Sequence, residues 1–441
     1  MSKRAIPIAK LLASDLPAPV RVFWECAPEN FKIPCMLTVL CCYCALSTRL
    51  RVKYAYDADL HALLLQIVIV GQPGDGKSFT RPLVYKLMRP VMEQDEVSRR
   101  QEQAYNDLLR THPKKIPPEP LTNVRFVQKI THKKLIKRAD MRKRLYGEPM
   151  TFFFYCEELA GIAEGYRQAY SDLRVCGRLA YDLGALDSND TMSETSYNAV
   201  VDIIWCSLYC STPAALDKYM DRASIEGGSV TRHVVADLGD LMGMAPPTFQ
   251  PLTAEQDQLV EETSQQLMDE TYTKEGLLQP THQVDMDWLF KEVNTWCEAQ
   301  RKQVLRTDSN ALNCFYKRAS VSAFRLATMC YHLWGEANGG TEAKQAVSRF
   351  YRFMAQYILD GLMSRWGASY EKLQQKRKEP AEEPPVTIYG SLSDRFTRDE
   401  LRARLAMLGR KTDARVFLSK WKSAHLIRSV KGTQDTYEKM N

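Results

Sequence analysis

Eight residues of this 441-residue sequence combine the types and the spacing needed to hold a phosphate group. They read Gly71-Gln-Pro-Gly-Asp-Gly-Lys77-Ser78, and they follow a run of apolar, largely β-branched residues that ends at Val70. The glycines allow successive backbone N–H groups to turn toward an anion, and the helix expected after the loop points its positive end there too. The pattern predicts a phosphate-binding loop between a buried strand and a helix.

Each residue type in this loop has an expected task in binding ATP with Mg²⁺. Lys77 would reach the β- and γ-phosphates as a point charge, and the hydroxyl of Ser78 would complete the coordination of Mg²⁺. A surface turn after a core strand is the alternative explanation. We favour phosphate binding because the apolar strand lies where the motif requires it. The residues expected to contact the nucleotide are Gly71, Gln72, Pro73, Gly74, Asp75, Gly76, Lys77, Ser78 and Phe79.

A second apolar strand, predicted at 150–156, ends in two acidic residues, Glu157 and Glu158. In enzymes that hydrolyse nucleoside triphosphates, one carboxylate holds the hydration shell of Mg²⁺ and another activates or orients the attacking water. We assign Glu157 to the metal and Glu158 to the base. The first position is usually Asp, so the register is open by one residue. A helix N-terminus with acids in its first turn is the alternative.

A third buried strand, predicted at 200–210, is followed by Ser211 and Thr212. In additional-strand ATPases a polar residue at this strand end senses the γ-phosphate. Ser211 or Thr212 is therefore a candidate for that task, and Thr212 is the one we count among the catalytic residues. A plain cap at the end of the strand is the alternative.

One arginine, Arg232, follows the glycine turn Gly227-Gly228 and precedes an apolar stretch. An arginine placed at the start of a strand in this way can be offered to the nucleotide of a neighbouring subunit, where it stabilises charge during phosphoryl transfer. An ordinary surface arginine is the alternative.

The apolar pattern predicts an α/β fold in which a core sheet is flanked by helices. A charged, proline-rich stretch at 376–385 marks the clearest domain boundary. The predicted divisions are a helical N-terminal lead-in at 1–60, a nucleotide-binding core at 61–245, a helical subdomain at 246–376, a linker at 377–393 and a C-terminal domain at 394–441.

Positive charge is concentrated in two stretches of a chain whose net charge is +7. Residues 123–147 hold nine Lys and Arg against one Asp, and residues 394–441 hold twelve against six acids. Such stretches suit an anionic polymer, although a solvated helix face is the alternative for either one.

The C-terminal stretch reads as a helix, a turn, a second helix and a hairpin around Gly432, which is the plan of a winged helix. The second helix would enter a DNA groove and the wing would touch phosphate. A protein contact is the alternative use of this plan. The residues expected to bind DNA are Arg410, Lys411, Arg415, Lys420, Lys422, Arg428 and Lys431.

Composition argues against membrane and disulfide-rich classes. The apolar runs at 35–46 and 63–70 are short for a bilayer span, and no signal-peptide pattern is present, so we expect a cytoplasmic protein. Most of the twelve cysteines lie in apolar stretches, where thiols usually behave as buried hydrophobes. A metal site at Cys41, Cys42 and Cys44 is conceivable, but the spacing does not support it.

These residues together resemble P-loop proteins of phages, plasmids and integrative elements that are described as primase- or helicase-like. The resemblance covers about residues 20–340 and includes the phosphate loop, Thr131-His-Lys-Lys-Leu-Ile136, the strand ending in Glu157-Glu158, and the turn before Arg232. It implies a P-loop NTPase core of RecA or AAA type that acts on the DNA of a mobile element. The chain lacks the paired-aspartate site of a polymerising primase.

The expected function is therefore an ATP-hydrolysing motor associated with DNA, such as a replicative helicase, that forms a homo-oligomeric ring or filament with its sites at subunit interfaces. Two alternatives remain open. One is a DNA-binding initiator or regulator in which ATP acts as an assembly switch without unwinding. The other is a protein-remodelling ATPase whose winged helix binds a protein partner.

Overall fold

The structure is a computed structural model, and it describes residues 11–111, 119–120, 122–159, 173–184, 186–188, 199–336, 340–378, 388–407, 413–423, 426–430, 432–433 and 435–440. The chain divides into two compact units, Met1–Glu371 and Lys372–Asn441. The division falls inside the helix Ala368–Lys378, just before the predicted linker. Residues 379–387 of that linker lie outside the described part, so its bounds stay a prediction.

The first unit alternates strands and helices. Its helices are Ala18–Cys26, Lys32–Leu46, Thr80–Leu87, Arg89–Thr111, His132–Tyr146, Leu173–Tyr181, Pro213–Tyr219, Arg222–Glu226, Ala254–Thr271, Phe290–Thr307, Asn310–Leu333 and Gly340–Leu362. Its strands are β1 Leu50–Tyr54, β2 Asp57–Ala62, β3 Gln66–Val70, β4 Phe126–Val127, β5 Met150–Cys156, β6 Leu186–Ser188, β7 Ala199–Val201, β8 Ile203–Ser211, β9 His233–Asp237 and β10 His282–Gln283.

Five of the described strands form an all-parallel central sheet in the order β4-β5-β8-β3-β9. β3, β5 and β8 are buried along their whole length, which is typical of parallel strands covered on both faces. They correspond to the three apolar strands predicted from the sequence. The predicted α/β core sheet flanked by helices is confirmed. Because the strands are parallel, the residues that follow β3, β5 and β8 all lie at one edge of the sheet.

The helix Lys32–Leu46 is buried against this sheet. Nearly all of its residues are inaccessible, and it contacts β3, β5, β8 and β9. The 18-residue window Glu29–Leu46 has a mean hydropathy of 1.2, so it is long and apolar enough for a membrane span, whereas the run 35–46 alone is too short. Because 78% of this window is buried within the protein, its hydropathy reflects a core position.

The residues just before β3 form a sheet of their own. β1 and β2 make a hairpin in a separate three-stranded sheet with the order β10-β1-β2. β1 pairs in parallel with β10, which comes from the segment predicted as a helical subdomain. The helix Gly340–Leu362 of that segment also contacts β9. Lead-in, core and helical segment therefore form one compact unit.

The second unit contains the helices Arg398–Met407 and Ala414–Ser423 and a three-stranded antiparallel sheet in the order β11-β13-β12. The strands are β11 Arg395–Thr397, β12 Ile427–Ser429 and β13 Thr436–Lys439. The predicted hairpin is confirmed, and Gly432 in its turn has a φ of 82°. Reciprocal hydrogen bonds between Thr397 and Glu400 cap the start of the helix Arg398–Met407. The core comprises Leu392, Phe396, Leu401, Leu405, Ala414, Leu418, Ile427 and Tyr437.

Candidate functional site

The glycine loop is exposed at the carboxyl edge of the central sheet, directly after β3. Gln72, Pro73 and Gly74 are exposed, and Gly74 and Gly76 have left-handed φ angles of 90° and 82°. The carboxylate of Asp75 accepts a hydrogen bond of 2.5 Å from the backbone N–H of Gln72 and closes the turn. The loop conformation thus depends on residues that can adopt positive φ.

Lys77 folds back over this loop. Its Nζ donates hydrogen bonds to the carbonyl oxygens of Gly71 at 2.8 Å and Gln72 at 2.6 Å. Lys77–Phe79 forms a single 3₁₀ turn, and the α-helix begins at Thr80. The ammonium group is therefore held within the loop by neutral acceptors and has no carboxylate among these partners.

Two glycines of the loop lie close to neighbouring side chains. A Cβ on Gly76 would lie 2.9 Å from Cγ of Pro247, in addition to the cost of its positive φ. A Cβ on Gly71 would lie 2.8 Å from Cδ1 of Leu238. Both neighbouring residues belong to the segment that follows β9, so this segment forms one wall of the loop.

Phe79 anchors the loop to the same wall. Its ring lies 5.4 Å from that of Phe31 and is stacked on Phe249 at 5.5 Å, measured between centroids. We had expected Phe79 to contact the nucleotide. The structure gives its ring a packing role, and the position of Phe249 was not predicted because it lies 170 residues away in the sequence.

Thr80 ties the start of the helix to two strands of the sheet. Its hydroxyl lies 3.0 Å from the Tyr155 hydroxyl of β5 and 3.2 Å from Sγ of Cys210 in β8. Burial raises the pKa of Tyr155, and burial raises the pKa of Cys210 to about 11, so both groups are neutral near pH 7. Sequence reasoning missed Thr80 and Tyr155. The one available signal was the hydroxyl type of Thr80, two positions after Ser78, because nothing in the sequence indicates its contact with Tyr155.

The two acids after β5 lie at the same edge as the loop. Both side chains are exposed, and Oε1 of Glu157 lies 3.6 Å from Nε of Arg81, one turn after the loop. Cys156 is paired with Tyr209, and Ser211 is paired with Val70. Glu157 and Glu158 therefore follow β5 at the edge where Ser211 ends β8 and the loop follows β3. β8 separates the strand of the loop from the strand of the acids.

Ser211 and Thr212 behave as residues of a strand end. The Thr212 side chain accepts a hydrogen bond from the Ala215 N–H at 3.3 Å and caps the helix Pro213–Tyr219. The hydroxyl of Ser211 is buried and donates to the Thr212 carbonyl. A role for Thr212 in sensing the γ-phosphate stays a prediction.

Arg232 lies at the opposite edge of the sheet. It precedes His233, which is paired with Gln66 at the start of β3, whereas the loop follows the end of β3. Its guanidinium donates to Asp182 at 2.9 Å and to the Gly228 carbonyl at 3.0 Å. Burial lowers the pKa of Arg232, and the Asp182 carboxylate opposes that effect. The structure does not bring Arg232 near the loop of its own chain, so a task in a neighbouring subunit stays a prediction.

Three arginines of the basic stretch 123–147 belong to an internal network, whereas most of its lysines are exposed. Arg125, Arg138 and Arg142 are all buried. Arg125 donates to the buried carboxylate of Asp95 at 3.5 Å, and Arg138 donates to Glu102 at 2.5 Å. Glu102 and Asp95 both come from the polar helix Arg89–Thr111. These buried arginines therefore hold two helices and β4 together, and only the exposed cations of the stretch are accessible to an anionic polymer.

The seven residues predicted to bind DNA fall into three groups. Arg415 and Lys422 are exposed on the helix Ala414–Ser423. Arg428 on β12 pairs with Glu438 of β13 at 2.7 Å, with two thirds of its side chain still exposed. The remaining predicted DNA contacts, namely Arg410, Lys411, Lys431 and the side chain of Lys420, lie outside the described residues.

Comparison with known proteins does not assign a family. No protein family model matches the chain, and no curated protein sequence matches it. Function therefore has to be argued from the geometry.

Proposed function

We propose that this protein is an ATPase that binds ATP with Mg²⁺ at Gly71–Ser78 and uses its hydrolysis to act on DNA. One observation carries the proposal: the exposed glycine loop, with Lys77 held inside it, shares one edge of a parallel sheet with two exposed carboxylates. Ligands of open parallel sheets bind outside the carboxyl ends of the strands, where helix N-termini and loop amides are available.

The residues at this edge fit a triphosphate and its metal. The carbonyl partners of Lys77 are neutral, so an anionic phosphate would compete favourably for the ammonium group. Ser78 is exposed, and Glu157 is available as a second oxygen ligand beside Arg81. When bound, Mg²⁺ would supply charge stabilisation for phosphoryl transfer, and Glu158 would orient the attacking water.

The sheet order supports the narrower assignment to a RecA- or AAA-like core. An extra strand, β8, separates the strand of the loop from the strand of the acids, as the name of the additional-strand ATPases implies. The two helices and three-stranded sheet of the second unit fit the winged-helix plan. We further propose that the protein is cytoplasmic, that it assembles as a ring or filament, and that it serves the replication of a mobile element.

The test is the rate of ATP hydrolysis by the purified full-length protein, measured alone, with single-stranded DNA and with duplex DNA, alongside its oligomer size. Stimulation by either DNA supports the proposal. A protein that neither binds nor hydrolyses ATP would contradict it.

A second function, an ATP-dependent switch with slow turnover, is favoured by one observation. Arg232, the residue expected to act as a finger between subunits, is held by Asp182 and Gly228 in its own chain. A site without a finger hydrolyses its nucleotide slowly. A strand-displacement assay with ATP separates the two functions, because an initiator or regulator would bind DNA without unwinding it.

Replacing Glu158 by Gln is expected to leave ATP binding intact and to slow hydrolysis about 100-fold or more, because the residue that orients water loses its negative charge. Glu157→Gln is expected to raise the Mg²⁺ concentration needed for activity instead. Both side chains are exposed, so neither change should affect folding. Glu93→Gln, an exposed acid on the helix Arg89–Thr111, is the control. If Glu157→Gln slowed hydrolysis and Glu158→Gln raised the Mg²⁺ requirement, the metal and base roles would have to be exchanged between the two residues.

Replacing both Arg415 and Lys422 by Glu is expected to weaken DNA binding at least 10-fold and to reduce the slope of log affinity against log salt by about 2. The reason is that each cation is exposed on the helix expected to face DNA. The matched control replaces Arg402 and Arg404 by Glu on the preceding helix. Equal losses from both pairs would indicate a nonspecific charge effect, and unchanged binding would remove this helix from the interface.

A further inference from the structure

Three side chains with metal-binding atoms converge in a cluster that contains no residue of the phosphate loop. They are His282 on β10, His332 in the last turn of the helix Asn310–Leu333, and Glu336 four residues later. Nε2 of His282 lies 2.9 Å and Nδ1 of His332 lies 2.7 Å from the same oxygen, Oε1 of Glu336. The three candidate ligand atoms all lie within 4.8 Å of one another.

The backbone places these side chains in two ways. Pairing of Leu50 with His282 fixes β10 alongside β1. After the helix ends, Gly335 and Glu336 both take left-handed φ angles, 81° and 43°, which turns Glu336 back toward the preceding turn. Such a conformation is unfavourable for a non-glycine residue, so it needs surrounding interactions to maintain it. The contacts with the two histidines supply them.

His332 is also oriented from its other side. Its Nε2 lies 3.3 Å from Oε2 of Glu270, and the same oxygen lies 3.7 Å from the guanidinium of Arg49. Histidines that bind a metal almost always donate their second ring N–H to a carboxylate or carbonyl, which fixes the tautomer and the ring plane. Glu270 is placed to do this for His332, leaving Nδ1 directed at the cluster.

We propose that His282, His332 and Glu336 bind one divalent transition-metal ion, with Zn²⁺ as the best match, and that water completes its coordination. Two imidazoles and one carboxylate suit zinc and its neighbours, whereas Mg²⁺ and Ca²⁺ prefer oxygen ligands only. Bonds of about 2.0–2.1 Å in a tetrahedral site separate the ligand atoms by about 3.3 Å. The two separations from Oε1 of Glu336, 2.9 Å and 2.7 Å, need to open by only about half an ångström.

The cluster is open to an ion from solvent, and an ion bound there would connect two elements of the fold. The His282 side chain is 38% exposed and that of Glu336 is 25% exposed, so an ion and its water ligands can reach the donor atoms. The ion would join β10, and through it the small sheet, to the end of a core helix. Metal binding should therefore stabilise the first unit against unfolding.

The test is titration of metal-free, full-length protein with Co²⁺ and with Zn²⁺. We expect one equivalent of Co²⁺ to produce a ligand-field absorption without a thiolate charge-transfer band, and Zn²⁺ to displace it and raise the unfolding midpoint. His282→Ala should weaken Zn²⁺ binding at least about 100-fold, and Glu270→Gln about 10-fold or more. His61→Ala, which removes a histidine paired with Asp57 in β2, is the control and should bind normally.

The result is independent of the nucleotide site. The Lys77→Ala variant should bind Co²⁺ as the wild type does, and excess Mg²⁺ should not compete. A thiolate band, or unchanged affinity in His282→Ala, would place the ion elsewhere and overturn the proposal. Absence of Co²⁺ and Zn²⁺ binding would also overturn it and leave the cluster as a network of hydrogen bonds between imidazoles and carboxylates.

Discussion

Replacing Arg325 by Met is expected to lower the free energy of unfolding of the first unit by about 3–5 kcal/mol. The side chain is only 1% exposed, yet it carries a full positive charge. Its guanidinium donates to the Tyr54 hydroxyl at 2.7 Å, to the Leu64 carbonyl at 2.9 Å and to the Tyr181 carbonyl at 3.0 Å. Methionine fills most of the volume but leaves these buried oxygens without a donor, at about 1–3 kcal/mol each.

The three acceptors explain why one side chain has such a large effect. They belong to β1, to the segment just before β3, and to the last residue of the helix Leu173–Tyr181. The guanidinium also lies 3.9 Å from the centre of the Tyr181 ring. The helix dipole favours a cation at the helix C-terminus, and the quadrupole of an aromatic ring favours a cation over its face. Arg325 thus joins the small sheet, the central sheet and two helices.

The measurement is the midpoint of urea unfolding, with circular dichroism as the probe of the transition. Arg318→Met is the matched control, because Arg318 lies two turns earlier on the same helix but is one third exposed and pairs with Asp182 at 3.4 Å. That variant should lose less than about 1 kcal/mol. If Arg325→Met and Arg318→Met were equally stable, the buried hydrogen bonds of Arg325 would contribute no more to the free energy of unfolding than an exposed ion pair does.

The sequence predicted the elements whose signal is local. The apolar runs that became β3, β5 and β8 are long, unbroken and followed by distinctive residues, so their placement did not depend on distant partners. The hairpin around Gly432 was recognisable for the same reason. Parallel strands end at one edge of a sheet, so the loop and the acids Glu157 and Glu158 could be expected together once the strands were identified.

The features that sequence reasoning missed depend on contacts between distant residues. β10 is two residues long and is defined only by its pairing with β1, so no periodicity could indicate it. Arg125 and Arg138 look like part of a basic surface until Asp95 and Glu102 of another helix are seen beside them. His282 and His332 are 50 residues apart, which conceals them from any search for metal-ligand spacing.

Replacing Lys77 by Ala is expected to abolish measurable ATP hydrolysis and to weaken ATP binding about 100-fold or more, because the loop loses the one cation it presents to the phosphates. Folding should be unaffected. Within the described part of the chain, the Nζ atom donates its hydrogen bonds to carbonyl oxygens of its own loop. One of these, on Gln72, is at the exposed surface, so water can replace the lost hydrogen bonds.

Binding of a fluorescent ATP analogue, the hydrolysis rate and the urea midpoint should therefore be measured on the same preparations. Lys53→Ala, which removes an exposed lysine from β1, is the control and should match the wild type in all three measurements. Normal hydrolysis by the Lys77→Ala variant would refute the nucleotide site. Loss of hydrolysis with an unchanged unfolding midpoint would place the chemistry at Gly71–Ser78, since the fold of the sheet edge would then be intact while only its phosphate contact was missing.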